Sequence, residues 1–474
     1  MSFHDLAKKY SSGKIHFIGI GGIGMSAIAL ILSRIGCNIQ GSDLTQNNNT
    51  KTIEALGIEC FVGHKTENLT DDVVLVVETS IVKPTNPEIL QAKSRNIPIF
   101  RRADILKEII SEKKGITISG THGKTSTTAM VSVLLESAGL DPVIINGGII
   151  NYFGSNAKFG EGEFLVAEAD ESDASFVDLP SFIGVVNNIE PEHMDFYNND
   201  FELVKKYYQK YLEQIPANGL AAVCIDDDEV FNLYKKLSQT QDNLVSLSIK
   251  NKDADYFGFN ISFDQSGLKF DVKIKKTGQI ISDIKMSAYG VHNIKNALAP
   301  VAIGVFLGLS SEKIKKGLAD FTGVKRRFSK TGEVNGVSII DDYGHHPTEI
   351  KAVFNSVRGI LPNNKLIVVF QPHKYSRTKD LFDEFCNSFK DVDIVVVADI
   401  FSAGQEPIEG ISKESLVAGI KKTGHKNVFK LGGENDLPQL IKNEAKSGDM
   451  VICIGAGSIS KWANALPKKL QAIS

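Results

Sequence analysis

Residues 120–126, Gly-Thr-His-Gly-Lys-Thr-Ser, hold the side chains best suited to chemistry on a phosphate. The apolar run GITISG (115–120) leads into them, and a helical stretch from about Thr125 to Gly139 leads out. In such a turn the backbone N–H groups form an anion nest. Lys124 supplies a cation for the β- and γ-phosphates of a nucleoside triphosphate, and Thr125 a hydroxyl for Mg²⁺. The strict pattern G-x-x-x-x-G-K-[ST] fails, because Ile118 stands five residues before Gly123. The plain alternative is an ordinary lysine at a helix start, but Gly-Lys-Thr at a strand–helix junction argues against it.

A second glycine turn lies near the N-terminus. Gly19, Gly21, Gly22 and Gly24 follow the apolar run IHFIGI and precede an apolar helical stretch, and Asp43 comes at the distance expected of a ribose ligand. Such glycines let a pyrophosphate approach the N–H groups of a helix N-terminus. Alone, the turn fits NAD, a nucleotide sugar, or glycines that merely pack a βα turn.

Further candidates sit after other apolar runs. FLVAEADESD ends in Glu168, Asp170, Glu171 and Asp173, of which one or two could hold Mg²⁺ beside a triphosphate. His193 follows FIGVVNN, as a ligand or as a structural histidine. His292, Asn293 and Asn296 open a helical stretch, where the amides can read an adenine edge or cap the helix. Arg326 and Arg327 lie in the basic segment 324–332, either as cations for a transferring phosphate or as a solvated hinge. His345 and His346 adjoin Asp341 and Asp342, but neighbouring histidines rarely both face one metal ion. His373, Lys374 and Arg377 follow LIVVFQP, where a guanidinium can clamp a carboxylate or phosphate.

The elements that must position these residues form a βα rhythm that starts three times. We expect an α/β protein of three domains in series: residues 1–110, Rossmann-like; 111–325, resembling P-loop ATPases; and 326–474, Rossmann-like again. Continuous apolar runs such as VSIIDDY, DIVVVADI and DMVICIGAG suit buried parallel strands. DYFGFNISFD and LKFDVKIKK alternate instead, which predicts an antiparallel excursion between residues 245 and 290.

With 474 residues, 42% of them hydrophobic, the chain can build several cores. A net charge of -3 argues against general affinity for nucleic acid or anionic membranes, so phosphate binding must be local. The five scattered cysteines, with no C-x-x-C pair, fit reduced thiols. No secretory leader or membrane-spanning run is evident, so a cytoplasmic protein is expected.

Taken in order, HFIGIGGIGMS, GTHGKT, VAEADESDASF, NIEPEHMD, GVHNIKNALA, GVKRRF, DDYGHHPTE, QPHKYSRT, FSAGQEPIEGIS and IGAGSI resemble the Mur ligases, which build the peptide stem of bacterial peptidoglycan. The resemblance spans nearly the whole chain. It implies a three-domain enzyme that uses ATP and Mg²⁺ to form an amide bond, with UDP-N-acetylmuramate as the acid and L-alanine as the amine. The first domain would bind the UDP sugar, so the turn of Gly19, Gly21, Gly22 and Gly24, with Asp43, takes a UDP diphosphate rather than NAD. The second would bind ATP through Gly120, Thr121, His122, Gly123, Lys124, Thr125 and Ser126, with Thr125, Glu168 and His193 on magnesium. His292, Asn293 and Asn296 fall in the adenine-facing motif. Arg327 and Asp342 match positions at the γ-phosphate and ribose, while His346, His373 and Arg377 match substrate-facing segments. Lys124, Arg327 and His346 are the implied catalytic residues, His346 as the base for the alanine ammonium.

Ser126 stands where the family more often has threonine and Glu192 where it has aspartate, which keeps the chemistry. Glu78-Thr79 replaces two serines near the uridine, so no uracil contact is assigned. Rival readings explain less. A nicotinamide dehydrogenase leaves GTHGKT without a role, and a non-catalytic scaffold has no need of His193, Arg327 and the third-domain histidines together. A ligase recycling a preformed tripeptide is the nearer rival, though its N-terminal turn is less like IGIGGIGMS.

Overall fold

The computed structural model describes residues 3–79, 82–264, 267–360 and 363–473. By internal contacts the chain forms two units. Residues 1–260, 270–285 and 295–322 make the first, and residues 261–269, 286–294 and 323–474 the second.

Two sheets are built mostly from residues of the first unit. One comprises β1 (Lys14–Ile18), β2 (Asn38–Asp43), β3 (Glu59–Val62), β4 (Val73–Glu78) and β5 (Ile99–Arg101), all parallel in the order β3-β2-β1-β4-β5. β1 is buried from Ile15 to Ile18, so its side chains read as a continuous apolar run rather than an alternation. The order reverses at β1, between β2 and β4, and this switch point is where the first glycine turn emerges. Beneath it lies a polar cluster. The carboxylate of Glu88, fully buried, accepts from Ser42 Oγ and Asn68 Nδ2 at 2.6 Å each, and lies 3.5 Å from His16 Nε2 and 3.2 Å from His64 Nδ1.

The second sheet has ten strands: β6 (Lys114–Ser119), β7 (Val143–Ile150), β8 (Ser155–Lys158), β9 (Phe164–Glu168), β10 (Ser181–Val186), β11 (Leu220–Cys224), β12 (Leu244–Ser248), β13 (Tyr256–Asp264), β14 (Gly267–Ile274) and β15 (Ile280–Met286). Their order is β15-β14-β13-β12-β11-β10-β6-β9-β7-β8. β6 pairs parallel with both β9 and β10, so the ends of these three strands share one rim at the reversal point. β14 alternates buried and exposed positions along Leu268–Ile274, with Leu268, Phe270, Val272 and Ile274 inside. That is the period-two pattern the sequence shows there.

In the second unit, β16 (Ser329–Val334), β17 (Val337–Asp342), β18 (Leu366–Phe370), β19 (Ile394–Val397), β20 (Val428–Lys430) and β21 (Met450–Ile454) are ordered β16-β17-β21-β18-β19-β20. All pairings are parallel except the antiparallel edge β16/β17. The expected series of α/β layers with parallel sheets is therefore present. The basic segment 324–332 is tied down by backbone hydrogen bonds. Phe328 N–H donates to Asp342 Oδ2 at 2.7 Å, Tyr343 N–H to the Arg326 carbonyl at 2.7 Å, and the segment continues into β16.

Candidate functional site

β6 delivers the chain to Gly120 at the centre of the second sheet, and a helix, Lys124–Ser137, begins at once. Gly123, between them, has φ of 83°, and a Cβ there would lie 2.6 Å from Asn296 Oδ1. Only glycine meets both demands. Two asparagines from the end of β10 frame the turn. Asn188 Oδ1 accepts from His122 N–H at 2.7 Å and its amide donates to the His122 carbonyl at 3.1 Å, while Asn187 Nδ2 donates to Thr127 Oγ1 at 3.1 Å.

Lys124 Nζ points back across this turn. It donates to the carbonyls of Gly120 (2.7 Å) and Thr121 (3.1 Å), and to both carboxylate oxygens of Glu171 (2.9 and 2.7 Å). Burial alone would lower the lysine's pKa, but Glu171, Asp170 and Glu168 together raise it, so Lys124 stays charged. Burial pushes the Glu171 carboxyl up to about 7 despite its lysine partner. Asp170 is held below the usual range, because Arg102 and Lys124 outweigh its burial. Glu168, at the end of β9, accepts from Gly147 N–H at 2.6 Å. Glu171, Glu192 and His193 each present a ligand atom within 4.8 Å of the others, so a divalent cation could be held there.

The first glycine turn lies in the same unit. Gly21 N–H donates to Asp43 Oδ2 at 2.9 Å, and Asn49 Nδ2 to the Gly21 carbonyl at 2.8 Å. A Cβ on Gly21 would come within 2.8 Å of Asp43 Oδ2. The helix Ile23–Arg34 starts here, so its N-terminal N–H groups and positive dipole end face this turn. Arg102, which opens the next helix (Arg102–Ser111), lies against Gly24 and pairs with Asp170 at 3.2 Å.

The helix Val291–Phe306 crosses from one unit to the other between Ile294 and Lys295. Asn296, on the first unit's side, is buried beside Gly123. On the other side, Asn293 Nδ2 donates to the Tyr289 carbonyl at 2.6 Å, and His292 Nδ1 lies 3.4 Å from Ser356 Oγ.

In the second unit the remaining candidates gather at the ends of β17 and β18. Asp342 is buried and accepts from Gly344 and Phe328 N–H groups at 2.7 Å each; burial pushes its carboxyl up to about 6 against the pull of Arg327. Arg327 lies 3.5 Å from Glu349, and both Arg326 and Arg327 sit over the Tyr343 ring. The buried His346 donates its N–H to Glu349 at 3.4 Å. His373 stacks on Phe401 with 5.6 Å between centroids, and its Nδ1 lies 3.4 Å from Arg377 Nη1. Burial, with His345, Arg377 and Lys374 nearby, holds His373 down to about 4, so it is neutral at pH 7.

Residues 14–114 match the Mur ligase family catalytic domain, 118–304 the Mur ligase middle domain, and 326–457 the Mur ligase glutamate ligase domain. The chain belongs to the Mur ligase family. The UDP-N-acetylmuramate–L-alanine ligase of Rhodospirillum rubrum is 47% identical over 97% of this chain and 95% of its own length. That of Rhizobium johnstonii is 47% identical over 98% of each. The crystal structure of UDP-N-acetylmuramate–alanine ligase from Thermotoga maritima superposes with a TM-score of 0.83 at 28% identity, covering 98% of this chain and 100% of that one. This Mur ligase has no helix, among its described residues, long and apolar enough to cross a membrane.

Reading the sequence left three groups of this Mur ligase without a role: Arg102, the Asn187-Asn188 pair and the Glu88 cluster. The asparagines carried a signal, since they close an apolar strand at the rim where open sheets bind ligands. Arg102 follows the short strand β5 in the same way.

Proposed function

We propose that this Mur ligase joins L-alanine to the carboxylate of UDP-N-acetylmuramate with hydrolysis of ATP to ADP and phosphate, in the cytoplasm. The observation that carries the reading is the neighbourhood of two anion-binding turns in one unit. Arg102, which lies against Gly24 of the first turn, pairs at 3.2 Å with Asp170, the neighbour in sequence of the Glu171 that holds Lys124 of the second. The names of the full-length relatives support these substrates.

In the reaction, a carboxylate oxygen of the sugar attacks the γ-phosphorus of ATP. The bond from γ-phosphorus to the β,γ-bridging oxygen breaks, ADP leaves, and an acyl phosphate forms. The alanine amine then attacks the acyl carbon, the C–O bond to phosphate breaks, and phosphate departs as the amide forms. The ammonium of alanine must first lose a proton, and His346 is the residue we assign to take it.

Phosphoryl transfer depends on position and charge neutralisation. Lys124 and Arg327 are the cations for the β- and γ-phosphates, and Gly120, Thr121, His122, Gly123, Thr125 and Ser126 line the nest. His292, Asn293 and Asn296 face adenine, and Asp342 the ribose. Gly19, Gly21, Gly22, Gly24 and Asp43 hold the UDP sugar, while His346, His373 and Arg377 face the acceptor substrates. The carboxylates of Glu171 and Glu192, with His193, suit a hard cation such as Mg²⁺, and Thr125 and Glu168 are the further ligands the family resemblance implies. When bound, Mg²⁺ would neutralise charge on the phosphate oxygens.

The test is phosphate release from ATP with UDP-N-acetylmuramate across a panel of amino acids and short peptides. We expect alanine to give the highest kcat/KM. Faster turnover with a tripeptide, or none with alanine, overturns the reading.

A further inference from the structure

We infer that Arg102 is a binding residue for the UDP sugar's diphosphate, held by Asp170 until the sugar arrives, and that exchanging these partners couples the two phosphate sites. The inference rests on the function proposed above and adds a residue outside the motifs quoted above.

Arg102 stands at the end of β5, on the same rim of the first sheet as the glycine turn. Its side chain lies across Gly24. A Cβ built on that glycine would sit 3.4 Å from Arg102 Cδ, 3.7 Å from Nη1 and 4.0 Å from Nε. These are ordinary van der Waals distances, so the arginine packs directly on the last glycine of the turn. The guanidinium has five N–H donors. Nη2 reaches Asp170 at 3.2 Å, and among the described residues the other donors have no acceptor. They lie beside the N-terminus of the helix Ile23–Arg34, where an anion is favoured and where an internal carboxylate, Asp43, already accepts from Gly21 N–H. A planar guanidinium grips phosphate oxygens in a fork, and it does so better than it grips one carboxylate oxygen at 3.2 Å.

Asp170 makes the exchange consequential. It also lies in the field of Lys124 and next in sequence to Glu171, a member of the cluster proposed for Mg²⁺. Drawing Arg102 onto the diphosphate removes one of the two cations that neutralise Asp170, and so leaves that carboxylate open to a metal. Sugar binding and magnesium–nucleotide binding should then strengthen each other, and by linkage they must do so equally.

The experiment is calorimetry of UDP-N-acetylmuramate binding to the full chain, with and without magnesium and a non-hydrolysable ATP analogue. It compares the parent, Arg102→Ala, Arg102→Lys and Asp170→Asn, with thermal melts as the folding control. Arg102→Ala should weaken the sugar about tenfold or more, as expected when charge-assisted bonds to a phosphate are lost, and Arg102→Lys should recover part of this. Asp170→Asn should leave sugar affinity unchanged or tighter, because the competing carboxylate is gone. The change in sugar affinity on adding nucleotide should shrink toward none in Arg102→Ala. If Arg102→Ala binds the sugar as the parent does, or if Arg102→Ala and Asp170→Asn weaken it by the same factor, the pair is only a structural staple and the inference fails. Full coupling retained in Arg102→Ala overturns the exchange. A parent that binds no UDP-N-acetylmuramate under either condition overturns the proposed function instead, and this inference with it.

Discussion

Glu171 occupies the P-loop lysine with both carboxylate oxygens, so a triphosphate can reach Lys124 only by displacing or neutralising it. Glu171→Gln should therefore tighten nucleotide binding measured without metal. The glutamine keeps one neutral acceptor toward Lys124 and loses the charge. Charge-assisted bonds contribute about 1.5–3 kcal/mol and neutral ones about 1, so the competition weakens by roughly 1–2 kcal/mol, or about tenfold in Kd. The pH dependence carries the sharper test. The Glu171 carboxyl titrates near 7 in the free protein, and a bound polyanion must raise it further. Binding therefore takes up a proton, and affinity should fall as pH rises through 7, with the loss beginning near the free protein's value. The nucleotide's own phosphate also titrates in this range, but it does so equally for parent and variant, so the difference between them isolates Glu171. The assay is calorimetry of ATP in EDTA from about pH 6 to about pH 8.5, a window that brackets the carboxyl's titration, in two buffers of different ionisation enthalpy. Equal pH profiles for parent and Glu171→Gln, or weaker binding by the variant throughout, would refute the displacement argument. Metal is left out because Glu171 also belongs to the proposed cation cluster, where the substitution would act in the opposite sense.

Three further outcomes are expected. Lys124→Ala should cut kcat by roughly a hundred- to a thousandfold while the chain still folds at assay temperature, a loss of about 3–4 kcal/mol of transition-state stabilisation of the kind seen when a main electrostatic donor is removed; near-normal turnover would take the lysine out of the mechanism. Arg377→Lys should raise KM for alanine or the UDP sugar with little effect on ATP affinity, since the fork is lost but the charge kept; steady-state kinetics with each substrate varied decides, and a selective loss of ATP binding contradicts the assignment. Glu88→Gln should destabilise the chain by about 1–3 kcal/mol in urea at pH 7, by leaving donors of Ser42, Asn68 and the two histidines poorly matched. The adjacent His16, with hydrogen bonds from Ser42 and Asn68, holds the Glu88 carboxyl below its ordinary value despite burial, so its contribution is complete above that value and fades as pH falls through the folded one; the deficit should narrow in acid, and a constant deficit would point to packing alone.

The strands that build the three sheets were largely legible because burial on both faces demands uninterrupted apolar runs, and such runs stand out in IHFIGI, GITISG and LIVVF. β7 was not legible. Its segment carries Gly147-Gly148, which reads as a turn, yet a Cβ at 147 would lie 2.6 Å from Glu168 Oε1. The glycine is there because a carboxylate from β9 approaches the backbone, and local propensity cannot report a contact 21 residues away. The backbone conformation of segment 324–332 was not legible either. Arg326 and Phe328 adopt φ of 64° and 50°, conformations that are costly alone and are held here by Asp342 and Tyr343.

The candidate site shows the same division between what spacing reveals and what only folding decides. Spacing located the P-loop, because a nest, a lysine and a helix N-terminus are contiguous. Spacing also delivered four carboxylates after β9, but it could not divide the work among them. Folding divides it by direction: Glu168 turns to Gly147, Asp170 to Arg102, and Glu171 to Lys124. Three neighbouring acids thus serve a backbone amide, Arg102 and Lys124. The cation that a carboxylate faces, rather than its place in the motif, sets its charge state: Asp170, shared by two cations, stays ionised, while the more deeply buried Glu171, against one, rises to about 7. A motif can say that acids are needed at this rim. Only the packed structure says which of them must give way when a triphosphate binds.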